Sequence, residues 1–122
     1  MAGRYDFLLK QGSTHVFEAT WKTNGVPVDL SDFTARMHVR SGNHKGIILF
    51  ELTTENGGIQ LTDETGLIRV EIPASESDKA NVDICSYDLE VQKGDYVERI
   101  LEGKIRVSPS VTRIPARGSK HG

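Results

Sequence analysis

The sequence predicts an all-β domain, a sandwich or barrel of about eight short strands, and three observations predict it. Apolar side chains recur at every second position through most of the chain, the mark of strands buried on one face. Turn-forming residues interrupt that alternation at the roughly 8–12-residue spacing of sandwiches and barrels. No stretch carries a helical period long enough for a crossover helix between parallel strands. At 122 residues, of which 37% are hydrophobic and 26% charged, the chain fits one domain with one core.

The elements follow in order. Tyr5, Phe7 and Leu9 alternate with Asp6, Leu8 and Lys10 until Gly12 and Ser13 break the run. In the second strand Phe17, Ala19 and Trp21 share a face. Asn24–Gly25 is a favoured hairpin turn pair, and Pro27 speaks against a central, fully paired strand there. Ala35, Met37 and Val39 point one way in the next strand, with Thr34, Arg36, His38 and Arg40 opposite. After the polar loop Ser41 to Gly46 come a strand over 47–54, a turn over Glu55 to Gly58, and a short strand over 59–61. Ile68, Val70 and Ile72 alternate in the strand after Gly66. Ser75 to Asn81 reads as one helical turn, with Ser75 as N-cap and Asp78 in a capping-box position. Cys85, Tyr87, Leu89 and Val91 then face inward. Past the tight connection Lys93 to Asp95, the last strand places Val97, Leu101, Ile105 and Val107 on one face, with a bulge or bend expected at Gly103.

Composition excludes several classes of function. No apolar run approaches the ~20 residues that span a bilayer, and the first dozen residues lack the apolar stretch of a cleaved signal. The single Cys85 has no partner for an internal disulfide and reads as a small buried hydrophobe. The net charge of −2 divides unevenly: Arg113, Arg117 and Lys120 give 113–122 a charge of +3, leaving −5 on 1–112. An acidic body argues against nucleic acid, which needs clustered Lys and Arg. The histidines His15, His38, His44 and His121 show no ligand spacing on a shared strand face and read as surface residues, so no metal is expected. The acids Asp29, Asp32, Asp63 and Glu64 lack the alternating pattern of a calcium loop. Neither a nucleophile elbow nor a phosphate loop occurs. The sequence therefore predicts no catalytic residue and no cofactor. Trp21 reads as a core or core-edge residue and Tyr96 as the exposed aromatic.

The segment YDFLLKQGSTHVFEATWKTNGVPVDLSDFTARMHVRSG resembles a family of small virion proteins of tailed bacteriophages and prophages. The matching positions are Gln11, Gly12, Thr14, Trp21, Gly25, Pro27, Asp29, Leu30, Thr34 to Met37, Val39 and Arg40. ELTTENGGI, LIRVEIPAS, YDLEV and LEGKIRVSPSVTR continue the pattern, so the likeness spans residues 5 to 113. It implies an immunoglobulin-like antiparallel β-sandwich of 7–9 strands, similar to the N-terminal domain of phage baseplate upper proteins. It further implies a role in the tail, baseplate or neck/collar and carries over no catalytic residues.

The combined expectation is a sandwich over 1–112 with an extended N-terminal arm, followed by a basic tail over 113–122. Its function would be structural, by contact with other virion proteins and with copies of itself, in a virion assembled in the host cytoplasm. No nucleic acid and no membrane are expected as partners. Free sheet borders and extended termini are the parts that tie such copies together. The contact residues expected are Tyr5, Phe7, Leu8, Arg113, Ile114, Arg117 and Lys120, with Phe7 and Leu8 on opposite faces of one strand. The alternative is a carbohydrate- or receptor-binding module at the host surface, which predicts an exposed aromatic row.

Overall fold

The computed structural model describes residues 3–111. The larger sheet contains β1 (Gly3–Arg4), β2 (Phe7–Lys10), β6 (Thr34–Ser41), β7 (Ile48–Thr53), β10 (Ile84–Lys93) and β11 (Tyr96–Ser108). Its order is β1-β11-β10-β6-β7, with β2 also on β11. The smaller sheet is β3 (His15–Thr20), β9 (Leu67–Ile72) and β8 (Ile59–Thr62), in the order β3-β9-β8. A two-residue ribbon, β4 (Lys22–Thr23) with β5 (Val26–Pro27), projects from the connection between β3 and β6. Two sheets in this order, with antiparallel neighbours and the first strand parallel to the last, form an immunoglobulin-like sandwich.

The core is the alternation read from the sequence. Ala35, Met37 and Val39 from β6, Ile68, Val70 and Ile72 from β9, and Cys85, Tyr87, Leu89 and Val91 from β10 are all buried. Val97 departs from that reading. Leu89 pairs with Leu101 but Glu90 pairs with Arg99, so Ile100 is an extra residue on β11. A classic bulge of this kind switches the phase of the side chains beyond it. Ile100 and Leu101 pack on the core, whereas Val97 is left 51% exposed on the outer face.

The bulge thus lies three residues before Gly103, where one was expected. Gly103 serves a close backbone approach instead: a Cβ there would stand 2.0 Å from the Tyr5 carbonyl oxygen. Gly3 pairs with Leu101 and Phe7 with Ile105, so β1 and β2 keep a single register on β11 with a break at Tyr5 and Asp6. Across the break, the Tyr5 amide donates to the Glu102 carbonyl (3.0 Å). The Lys104 amide donates to Asp6 Oδ1 (2.8 Å), a side chain replacing the missing backbone acceptor. The Tyr87 hydroxyl donates to the Tyr5 carbonyl at 2.5 Å. The N-terminal arm is therefore a sheet strand from Gly3 to Lys10. The basic tail over 113–122 lies outside the described residues.

The helical turn α1 (Ala74–Ser77) starts two residues earlier than the capping signal implied. Pro73, with φ −65° and ψ 155°, is the N-cap and has no side chain to donate or accept, so Ser75 sits inside the first turn. Asn24 (φ 53°) and Gly25 (φ 79°) form the expected left-handed pair between β4 and β5.

Candidate interaction surfaces

Gln11, Gly12 and Asp29 are built into the turns at the two ends of the sandwich. Gln11 uses both ends of its carboxamide: Nε2 donates to the Asp78 carbonyl (3.1 Å), and Oε1 accepts from the Ser110 amide (3.3 Å). Gly12, at φ 81°, donates its amide to Ser77 Oγ (3.0 Å), and that hydroxyl donates to the Ser13 carbonyl (2.7 Å). Ser77 is fully buried, so this turn, α1 and the segment after β11 are locked together at one end of the sandwich. At the other end, Asp29 Oδ1 accepts from the Ser31 amide (2.9 Å) and hydroxyl (2.7 Å), an Asx turn. That pair of bonds holds the Asp29 carboxyl below its ordinary pKa. Leu30 plugs the core, and Trp21 exchanges backbone bonds with Val28 and Gly66.

The N-terminal contact residues separate by face. Phe7 is inside: its ring stacks on His15 (4.6 Å between centroids, 5° between planes) and meets Phe17 (5.3 Å) and Tyr87 (5.5 Å). With its ring in the core, Phe7 has no surface to offer a partner. Tyr5 is 39% exposed over Phe7 and Phe17. Leu8, on the opposite face of β2, is 48% exposed. Arg113, Ile114, Arg117 and Lys120 lie outside the described residues. His15, read as a surface histidine, belongs to the aromatic cluster. Its Nε2 is buried without a hydrogen-bond partner among the described residues, and burial lowers the ring's pKa.

The outer face of the larger sheet follows from its register. One row across the strands reads Leu8, Arg106, Ile84, and a second reads Arg4, Glu102, Asp88, His38, Glu51. Arg4, Glu102, Asp88 and His38 of the second row floor an open groove of about 600 Å³, lined also by Arg40, His44 and Arg99. Its charges largely satisfy one another. Arg99 lies between Glu102 (3.0 Å) and Asp88 (3.7 Å), and His38 Nε2 meets Glu51 Oε2 at 2.7 Å. Exposed pairs of this sort contribute ~0–1 kcal/mol each and leave little net field to draw a ligand. Among the described residues, no group of three or more His, Cys, Asp or Glu is placed to hold a metal. Cys85 is fully buried, and desolvation pushes its thiol up to about 11, so it is a poor nucleophile in the folded state.

Three apolar features were missed by alternation alone. Ile84, 38% exposed, joins Leu8 on either side of Arg106. Ile47 (73%) and Ile48 (45%) stand at the start of β7, the unpaired border of the larger sheet. Two successive isoleucines entering a strand cannot both face inward, and that was the available signal. Farther along the border, Asn56 imitates a neighbouring strand. Its Oδ1 accepts from the Thr53 amide (2.9 Å) and its Nδ2 donates to the Glu51 carbonyl (3.1 Å). The remaining feature is the loop end, where Trp21, Phe33 and Tyr96 meet edge to face (5.6 and 6.3 Å) and Lys93 Nζ lies 5.6 Å over the Phe33 ring. Trp21 packs partly on the core, while Tyr96 is 51% exposed.

No protein-family profile matches the chain, and a search of curated proteins finds no significant match.

Proposed function

We propose that this chain is a non-enzymatic structural component of a tailed-bacteriophage particle, an adaptor or decoration of the tail, baseplate or neck/collar. In this reading it works by protein–protein contact, with other virion proteins and copies of itself as partners, in a symmetric multi-copy assembly. The observation that carries the reading is the Leu8–Arg106–Ile84 row. Two aliphatic side chains flank an arginine on the solvent face of a sheet border, beside the point where the chain leaves β11. Apolar groups with a central arginine on an otherwise charged sheet face are the composition of a protein contact. The resemblance over residues 5 to 113 supplies the virion context. The host-surface alternative asks for an exposed aromatic row; Tyr96 is exposed at the loop end and Tyr5 partly so, while Trp21 packs on the core and Tyr87 is buried.

Particles purified from lysates of cells encoding the chain provide the test. Mass spectrometry should find it at a fixed ratio to the major tail proteins, and labelling should place it at one site on the particle. Absence from purified particles ends the proposal. Within particles that contain it, Leu8→Glu should abolish incorporation while the isolated chain stays folded.

A further inference from the structure

The loop end of the sandwich and the basic segment 112–122 match each other in charge, and the chain leaves β11 at the end of the sandwich opposite that loop end. The segments 22–33, 62–66 and 93–96 converge there through the Trp21–Gly66, Val28–Trp21 and Leu30–Asp63 backbone bonds and the Phe33–Tyr96 ring contact. They carry Asp29, Asp32, Asp63, Glu64 and Asp95 against Lys22 and Lys93, a net charge of −3. Asp32, Asp63, Glu64 and Asp95 have no ion pair or side-chain hydrogen bond among the described residues. At the same end Tyr96 (51% exposed) packs on Phe33, which meets Trp21, and Val26 (64%) stands exposed on the β4–β5 ribbon. The rings already hold one cation, Lys93. The tail has the complementary chemistry. Arg113, Arg117 and Lys120 provide +3 with no acid, and Ile114 and Pro115 provide an apolar step.

Geometry decides whose tail can reach. β11 runs 13 residues from Tyr96 at the loop end to Ser108 at the other, a span of about 40 Å. The Ser110 amide stays bonded to Gln11, so the chain departs from the far end. Lys120 lies nine residues past Val111, a reach of at most ~32 Å, and Arg113 only two residues, ~7 Å. The tail therefore cannot dock its arginines on the loop end of its own sandwich.

We infer that segment 112–122 of one copy binds the acidic, aromatic loop end of the next, linking copies head to tail. Arg113 and Arg117 would lie across the Tyr96 and Trp21 rings and pair with the unpaired carboxylates. Such a contact is heterologous, and it closes into a ring or grows as a fibre according to the rotation between copies. The inference rests on the multi-copy reading above and names the surface that joins the copies.

Sedimentation velocity on the full chain, from about 1 to about 500 μM at low and high salt, tests it. The wild type should associate, less so at high salt because rim charges are screened. A head variant (Asp63→Lys, Glu64→Lys, Asp95→Lys) and a tail variant (Arg113→Glu, Arg117→Glu, Lys120→Glu) should each associate at least ~10-fold more weakly. A chain carrying both sets should recover, as should an equimolar mixture of the two variants. Circular dichroism checks that each variant stays folded. A wild type monomeric throughout, either variant associating like wild type, or a mixture that does not recover would each overturn the inference. Variants that still associate would retire the head-to-tail contact and leave multi-copy assembly standing. Absence from particles despite head-to-tail association would do the opposite.

Discussion

Replacing Gly103 by alanine should unfasten the N-terminal strand. The new methyl would lie 2.0 Å from the Tyr5 carbonyl oxygen and 2.8 Å from Asp6 Oδ1, both below the 3.0 Å that real Cβ atoms keep. Backbone rather than a flexible tip is in the way, so the Tyr5–Asp6 segment must retreat by about an ångström or more. The retreat strains three bonds: Tyr5 amide to Glu102, Lys104 amide to Asp6 and Tyr87 hydroxyl to Tyr5. The hydroxyl matters most, because Tyr87 is 4% exposed and a buried donor left without a partner costs ~1–3 kcal/mol. With the weakened backbone bonds, Gly103→Ala should cost ~2–4 kcal/mol. At a urea m-value of ~2 kcal/mol/M, the midpoint falls by about 1–2 M. Tyr87→Phe alone should cost ~1 kcal/mol, and the double variant should cost less than the sum, since both changes remove one bond. A Gly103→Ala protein within ~0.5 kcal/mol of wild type would refute the reasoning, because surface changes fall in that range.

Asn56→Ala should cost ~1–2 kcal/mol and raise light scattering at high concentration, since it uncovers the Thr53 amide and the Glu51 carbonyl on the open sheet border that starts with the exposed Ile48. Equal scattering from variant and wild type would remove the strand-mimic role of Asn56. His15 provides a pH signature. Its folded pKa lies below the ordinary 6.5, so as pH drops through about 6.5 the unfolded chain takes up a proton before the folded chain does, and stability falls. His15→Phe, which keeps the stack on Phe7, should lessen the loss between about pH 7.5 and pH 5 in urea titrations. Parallel stability–pH curves for the two proteins would contradict the burial of that ring.

Strand positions and their inward faces were legible wherever alternation ran unbroken, as in Ala35–Val39 and Cys85–Val91. It failed at Val97 because the Ile100 bulge depends on how β10 and β11 pair, and a sequence does not display its partner strand. The same limit hid the His38–Glu51 contact, made across two strands, and the mimicry of Asn56. Gly103 was marked as unusual for a sound reason, the glycine itself, but the cause was the approach of Tyr5 from 98 residues away. On the contact surface, opposite faces for Phe7 and Leu8 could be read from period two. Which of them is buried depended on β2 pairing with β11, where Phe7 falls opposite the core residue Ile105.

The parallel ladder between the first and last strands also fixes how the molecule bears force. Tension applied through its two ends pulls Gly3 and Ser108 toward opposite ends of that ladder. The rungs then slide against one another and share the load, and they do not open in sequence from one end. A sandwich wired this way resists stretching along its own axis far better than peeling at a corner.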